Sequence, residues 1–285
     1  MGYNIVVCAK QVPDTKRITG EAMKEDGTVN RAALPAIFNP EDLNALEAAL
    51  AIRDEHGGTV TVITMGPPAA CELLRDCLCR GADKVVLISD RRAAASDTLA
   101  TSYILSCAIK KIQPDIVLCG RQAIDGDTAQ TGPQMAEKLG FTLITYMEKF
   151  IGVKGDTIRV KRNVGNGWED VSAKLPVLVT VLETANEPRP YSIKRTNLYK
   201  KARNQMELPA DADTETLKKK GLYIESWNLD DINADLGWCG MSGSPTKVHR
   251  IQSVVLAGGA YEEFAPTEEG AAKLVGDLIE DHTIG

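Results

Sequence analysis

Aromatic residues are scarce in this chain, at 5% of 285 residues, which argues against a stacking platform for single-stranded nucleic acid. Positive charge is outnumbered: 33 Lys and Arg stand against 39 Asp and Glu, for a net charge of −6, so there is no overall attraction to a phosphate polymer. No apolar run approaches the ~20 residues that span a bilayer. Neither nucleic-acid binding nor membrane insertion is therefore expected. Histidine is limited to the scattered His56, His249 and His282, which are assigned no catalysis, and no Ser/His/Asp or Cys/His constellation is apparent. No signal peptide is visible, since Met1-Gly2-Tyr3-Asn4 leads straight into an apolar segment, and a cytoplasmic protein is expected. The seven cysteines are odd in number and form no disulfide framework, which fits a reducing compartment. Cys71, Cys77 and Cys79 match no zinc or cluster spacing. In an expected helix, 77 and 79 face different ways, so buried free thiols and no metal are expected.

What is present is enough apolar residue, 44%, to build one large core. Asn4-Ile5-Val6-Val7-Cys8-Ala9 reads as a short buried strand, ended by a loop at Gln11-Val12-Pro13-Asp14-Thr15. Residues 16–38 read as irregular, with a turn at Glu25-Asp26-Gly27. Asn39-Pro40 opens a helix with Asn as N-cap, Pro at the first position and acids Glu41 and Asp42 in the first turn; Leu43, Leu46 and Leu50 follow at helical spacing until Gly57-Gly58. Strands are expected at Thr59–Met65, Lys84–Ile88 and Asp115–Cys119, with helices over 69–80, from Asp97-Thr98 to before Pro114, and over Met135–Gly140. This alternation predicts a parallel sheet covered on both faces.

The most telling stretch joins that fourth strand to its helix: Gly120-Arg121-Gln122-Ala123-Ile124-Asp125-Gly126-Asp127-Thr128-Ala129-Gln130-Thr131-Gly132-Pro133-Gln134. A polar, Gly-rich loop between a strand's C-terminal end and a helix N-terminus is where open α/β sheets bind nucleotides, because free N–H groups and the helix dipole favour a phosphate. The same loop can also be read as a long βα connection with solvated acids. Asp125 and Asp127 suit ribose hydroxyls or backbone N–H groups better than phosphate. Gly126, Thr128 and Ala129 are small enough for a bulky group to lie against the backbone.

Beyond residue 146 the pattern changes. Lys149–Val153, Thr157–Lys161, Trp168–Ser172 and Val177–Leu182 read as strands joined by tight turns, an antiparallel extension at the sheet edge. Glu187-Pro188-Arg189-Pro190-Tyr191 cannot continue a regular element, and Lys194-Arg195, Lys200-Lys201-Ala202-Arg203 and Lys218-Lys219-Lys220 cluster positive charge. Residues 221–263 have few periodic apolar positions, yet carry Tyr223, Trp227 and Trp238. Such a segment builds little core alone and is expected to lie across a partner. A final helix is expected over Thr267–Ile279. The whole is an α/β fold: a Rossmann-like parallel sheet with helices on both faces, an antiparallel strand extension, and an extended C-terminal arm that wraps a partner. The nucleotide-binding domain is assigned to residues 1–190 and the arm with its terminal helix to 191–285.

This organisation resembles the beta subunit of electron transfer flavoproteins over nearly the whole chain. The resemblance rests on Val7-Cys8-Ala9-Lys10-Gln11-Val12-Pro13-Asp14, Asn39-Pro40, Met65-Gly66-Pro67, Asp97-Thr98-Leu99-Ala100-Thr101 and the Gly120–Gln134 stretch. Leu175-Pro176, Glu187-Pro188-Arg189 and Gly243-Ser244-Pro245-Thr246-Lys247-Val248 fit as well. It implies a heterodimer in which an alpha subunit carries the electron-transferring FAD and the arm packs on that subunit. The beta subunit's own nucleotide is AMP in plain members and a second FAD, accepting hydride from NADH, in bifurcating ones. Small Gly126 and Ala129 resemble the bifurcating type; Thr131 stands where that type more often has valine. The bifurcating reading implies ferredoxin or flavodoxin as one electron acceptor and an acyl-CoA or hydroxy-acid dehydrogenase as the other partner. The apolar anchor that docks plain members onto dehydrogenases is weakened here to Tyr191-Ser192-Ile193-Lys194-Arg195-Thr196-Asn197-Leu198.

The resemblance further implies that the nucleotide is held by Ala9, Lys10, Asn39, Asp42, Met65, Gly66, Asp97, Thr98, Gly120, Gln122, Asp125, Gly126, Asp127, Thr128, Ala129, Gln130, Thr131 and Gly132. Lys10 is either a surface lysine or a cation beside a phosphate or the flavin N1 side. Asp97 and Thr98 are an N-cap pair, a nucleotide contact, or both. Asp125 is assigned to a ribose or backbone bond, and Thr128, Gln130 and Thr131 to the pyrophosphate. No residue of this chain is expected to act as catalytic acid, base or nucleophile. An adenine-nucleotide-binding module without redox chemistry leaves residues 146–285 unexplained. A self-sufficient nucleotide hydrolase or transferase lacks a nucleophile.

Overall fold

β1 (Tyr3–Cys8) is a nearly unbroken apolar run because it lies inside the sheet, with Ile5, Val6 and Val7 fully buried. The computed structural model describes residues 2–14, 34–209, 211–246, 262–281 and 283–284. The turn expected at Glu25-Asp26-Gly27, and Lys247, Val248, His249 and His282, lie outside the described residues.

A short antiparallel pair follows, β2 (Gln11–Pro13) with β3 (Ala36–Phe38), where only loop was expected. Three-residue strands leave no room for a period-2 pattern to show. α1 (Pro40–His56) starts at the expected Pro and stops at Gly57, whose φ is 77°. β4 (Gly58–Met65), α2 (Cys71–Arg80), β5 (Lys84–Ile88), α3 (Thr98–Ile112) and β6 (Ile116–Gly120) repeat the unit. α3 is capped by Asp97, whose carboxylate accepts from Ala100 N, as the sequence suggested. α4 (Thr131–Leu139) begins four residues earlier than expected, so Thr131 and Gly132 belong to its first turn. It ends at Gly140, as expected, in the left-handed conformation that glycine favours.

β7 (Thr142–Lys154) is one long strand rather than a strand starting at Lys149. Tyr146 interrupts it with a φ of 59°, and the pairing register shifts there. Its first half pairs in parallel, and its second half pairs with antiparallel β8 (Thr157–Asn163), which pairs with β9 (Trp168–Lys174). β10 (Val177–Val181) corrects the sequence reading. It does not extend the antiparallel edge but enters the sheet in parallel between β6 and β7, with all five residues buried. Val-Leu-Val-Thr-Val has the continuous apolarity of a strand covered on both faces; its place after two hairpins concealed this.

The remaining elements are α5 (Ile193–Tyr199), α6 (Thr214–Lys219), β11 (Glu225–Trp227) and α7 (Glu268–Glu280). The sheet order is β11-β5-β4-β1-β6-β10-β7-β8-β9. α1 and α2 cover one face, over Ile5, Val7, Val62, Leu118 and Val179; α3 and α4 cover the other, over Val6, Cys8, Val117, Cys119 and Leu178.

The expectation that 221–263 finds its burial on a partner needs correction over 222–244. β11 joins the sheet edge beside β5, and Ile224, Leu229, Ile232 and Cys239 are buried against this chain's own core. Single apolar side chains on an irregular backbone close the flank of a core that already exists, so no periodicity is needed. Tyr223 and Trp227 are half-buried there, and Trp238 stays exposed. α5 is fastened to α2, because the Arg195 guanidinium donates to the carbonyls of Leu78 and Ala82, both at 2.6 Å. Residues 202–207 are held by Arg75, whose largely buried guanidinium meets Glu207 at 2.9 Å and Glu72 at 2.7 Å. α7 buries no residue and leaves Leu274, Val275 and Ile279 exposed.

Candidate functional site

From β1 the chain moves outward through β4 and β5, then returns to place β6 on the other side of β1. That reversal opens a crevice beyond the carboxyl ends of β1 and β6, the switch point at which open α/β sheets bind ligands. A cavity of about 420 Å³ lies there, within the range of small-molecule sites. Of the residues named from sequence, Ala9, Lys10, Asp42, Met65, Asp97, Thr98, Gly120, Gln122, Gly126, Asp127, Thr128, Ala129, Gln130, Thr131 and Gly132 line it; Asn39, Gly66 and Asp125 do not.

The start of α1 builds this cleft in a way its sequence concealed. Asn39 makes no capping bond to its own helix. Its fully buried amide instead donates to Gln122 O at 2.8 Å and accepts from Ile124 N at 3.1 Å. Glu41 accepts from Gln122 N at 2.8 Å and pairs with Arg121 at 3.1 Å. Asp42 accepts from Lys10 N at 2.9 Å and from Gly120 N at 2.8 Å. Three side chains that read as a cap and dipole-matching acids thus splint the ends of β1 and β6 and the first turn of the 120–130 loop. Burial pushes the Asp42 carboxyl up to about 7, against the lowering effect of the N–H groups of Gly120 and Lys10. Gly120 is required here. A Cβ on it would lie 2.7 Å from Asp42 Oδ1 and 2.8 Å from Asp42 N.

Farther along, Gln122 Nε2 donates to Asp127 Oδ1 at 3.0 Å. Asp127 and Ala129 have φ of 48° and 52°, and Gln130 then returns to right-handed geometry. Adjacent left- and right-handed residues turn successive N–H groups toward one side, a concavity suited to an anion. It opens onto the first turn of α4, where N–H groups lack intrahelical acceptors. Thr98 Oγ1 donates to Gln130 Oε1 at 2.9 Å and ties α3 to the loop. Burial works to raise Asp97, but bonds from Thr246 and Ala100 N outweigh it and hold the carboxylate low and ionised. Gly132 lets α4 settle on the sheet, since a Cβ there would come 2.9 Å from Thr180 Cγ2. A Cβ on Gly126, by contrast, would meet nothing within 4 Å.

Lys10 reaches across the mouth to Asp125, Nζ to Oδ1 at 2.7 Å. Asp125 thus engages a side chain rather than the cleft floor. The floor itself, Cys8, Ile63, Leu105, Cys119 and Met135, was not named from sequence. These residues point inward from strands and helices read only as core; Cys8 and Cys119 alone carried a signal, their position at a strand's C-terminal end, and Leu105 and Met135 on helices carried none. Ser96, Thr101, Arg121 and Ala123 were missed likewise. Among the described residues no group of three or more His, Cys, Asp or Glu could hold a metal ion, and all seven cysteines are free thiols. No described helix is long and apolar enough to cross a membrane. An apolar floor, a polar rim and an anion-shaped turn suit a planar ring joined to ribose and phosphate.

Comparison with known proteins places the chain in a family. The electron transfer flavoprotein domain profile matches residues 26–212. The electron transfer flavoprotein subunit beta of Clostridium acetobutylicum is 42% identical over 281 residues, covering 99% of this chain and 100% of the relative. The caffeyl-CoA reductase-Etf complex subunit CarD of Acetobacterium woodii is 42% identical over 283 residues, covering 98% and 99%. Protein FixA of Azorhizobium caulinodans is 44% identical over 256 residues, covering 87% and 83%. The chain belongs to the electron transfer flavoprotein family, as a beta subunit.

Proposed function

We propose that this chain, paired with an electron transfer flavoprotein alpha subunit, binds a second FAD in the switch-point cleft and serves NADH-driven electron bifurcation. The observation that carries the reading is the open space at Gly126, where an added Cβ meets no atom within 4 Å, beside the small Ala129. Similarity to a subunit of a caffeyl-CoA reductase complex supports a CoA-ester oxidoreductase as one electron partner. An acyl-CoA dehydrogenase fits that chemistry most directly and a hydroxy-acid dehydrogenase is the other option, with ferredoxin or flavodoxin taking the low-potential electron.

The residues fit a dinucleotide. The turn at Ala129 and Gln130 and the first turn of α4 offer N–H donors to a pyrophosphate, with Thr128 and Thr131 supplying hydroxyls. Asp127, Asp97 and Thr98 stand at the rim for ribose and ring edges. Lys10 brings a cation to the mouth, where it favours reduced, anionic flavin. FAD, when bound, supplies a centre that accepts hydride and passes electrons onward. The chain itself then needs no acid or base; it positions, excludes water over the sulfur and aliphatic floor, and sets charge.

Cofactor analysis of the purified heterodimer tests this. Two FAD per heterodimer and reduction by NADH under anoxic conditions are expected. One FAD and one AMP, with no response to NADH, would leave a plain electron carrier.

A further inference from the structure

We infer that the cleft floor is a soft-metal site, in which Cys8, Cys119 and Met135 together take one Cu(I) ion. The inference is independent of which nucleotide the cleft binds. Cys8 Sγ lies 4.0 Å from Met135 Sδ. Three sulfurs each ~2.3 Å from one ion in a trigonal plane stand ~4.0 Å apart, since the edge is √3 times the bond length. That edge is therefore already at the spacing the ion requires.

The third sulfur is brought in by sheet register. Cys8 and Cys119 are direct partners in the parallel pairing of β1 with β6, and both face the side covered by α3 and α4, with Met135. An ideal Cβ on Gly132 would be 3.1 Å from Cys119 Sγ. That sulfur therefore touches the first turn of α4, and Met135 is the next turn on the same helix face. All three residues line the cleft yet are 7%, 6% and 1% exposed, so an ion can enter while bulk water is kept away.

Thiolate and thioether donors exclude a hard ion such as Mg²⁺, and a three-sulfur set that includes a thioether and lacks the fourth Cys, His or carboxylate ligand of a zinc site points to Cu(I). Burial first, and the neighbouring Asp42 carboxylate second, hold the Cys8 thiol well above its ordinary range. Cys119 is raised in the same way, by burial and then by Cys8, Asp42 and Glu41. The resting thiols are thus protonated, so the geometry of the three sulfurs, not a standing negative charge, favours the ion. Each copper–cysteine bond forms as one thiol proton leaves to solvent, Met135 enters without a proton, and copper remains Cu(I). Cys71, Cys77 and the rest of α2 lie across the sheet and cannot join.

The test is anaerobic titration of the full chain with Cu(I) against bicinchoninate, with copper X-ray absorption at one equivalent. Sulfur-only coordination by three atoms is expected. Cys8→Ser with Cys119→Ser should remove one bound equivalent. Met135→Leu, which conserves volume, should weaken the tightest equivalent about tenfold or more. If the double variant fails to fold by circular dichroism, Met135→Leu and the absorption spectrum still decide. Nitrogen or oxygen ligands at the first equivalent, an unchanged stoichiometry in a folded double variant, or unchanged affinity in Met135→Leu would each overturn the site.

Discussion

Replacing Asp42 with asparagine should reverse its effect on stability between pH 4 and pH 8. Asp42 is buried and its carboxyl is raised from an ordinary 3.8 to about 7. Between those values the folded chain holds a proton that the unfolded chain has released, so native stability falls as pH rises through the window and levels off above it. The span corresponds to about 4 kcal/mol at ~1.36 kcal/mol per pH unit. The asparagine variant carries no such proton, and its stability lacks this decline. At pH 4 the variant should be the weaker by about 1–3 kcal/mol, because an amide NH2 faces one of the two backbone donors, Lys10 N or Gly120 N, that an oxygen now accepts. At pH 8 the wild type has lost about 4 kcal/mol, and the variant should be the more stable by about 1–3 kcal/mol. Urea unfolding of both proteins, followed by circular dichroism across this range, measures the difference. Curves separated by a constant gap at every pH would refute the reasoning, since Asp42 would then hold no proton in the folded state.

Gly120→Ala should cost about 1–3 kcal/mol by overpacking against Asp42, whereas Gly126→Ala should stay within about 0.5 kcal/mol; chemical denaturation compares the two. Thr128→Trp, inside the cleft, should empty the beta-site nucleotide while the alpha-subunit flavin remains, as read by chromatography of released cofactors. Full occupancy of both sites would show that the loop is not the site. Arg75→Met should destabilise the fold by about 3–5 kcal/mol, because Glu207 loses the guanidinium that anchors 202–207 to α2. A melting temperature unchanged from wild type would count against that clamp.

Much of the frame was legible in local sequence. Pro40, Gly57, Asp97 and Gly140 mark helix ends because a ring-fixed φ, a capping side chain or a glycine at positive φ depends on a few adjacent residues. The apolar runs at Ile5, Val60, Val86 and Ile116 announce buried strands for the same reason. That the 120–134 loop would line a cleft was legible because its small residues and its place between strand and helix are both local facts. Val177–Val181 was read as a strand but assigned the wrong neighbours, since pairing order is a long-range property that no local pattern records. Residues 222–244 were misjudged because they are buried one side chain at a time, against a flank that exists only once β5 and α3 are in place.

By itself, then, the order of apolar runs, caps and glycines determined an alternating α/β chain with a polar, Gly-rich loop after its fourth core strand. Only tertiary structure decided what Asn39, Glu41 and Asp42 do. Their short polar side chains suit a helix start equally well as caps or as splints. The choice fell to the strand ends packed beside them, whose otherwise unsatisfied N–H groups need buried acceptors. Tertiary structure likewise gathered Cys8, Cys119 and Met135, far apart in the chain, under one cleft, because parallel register and helix docking set neighbours that sequence distance does not.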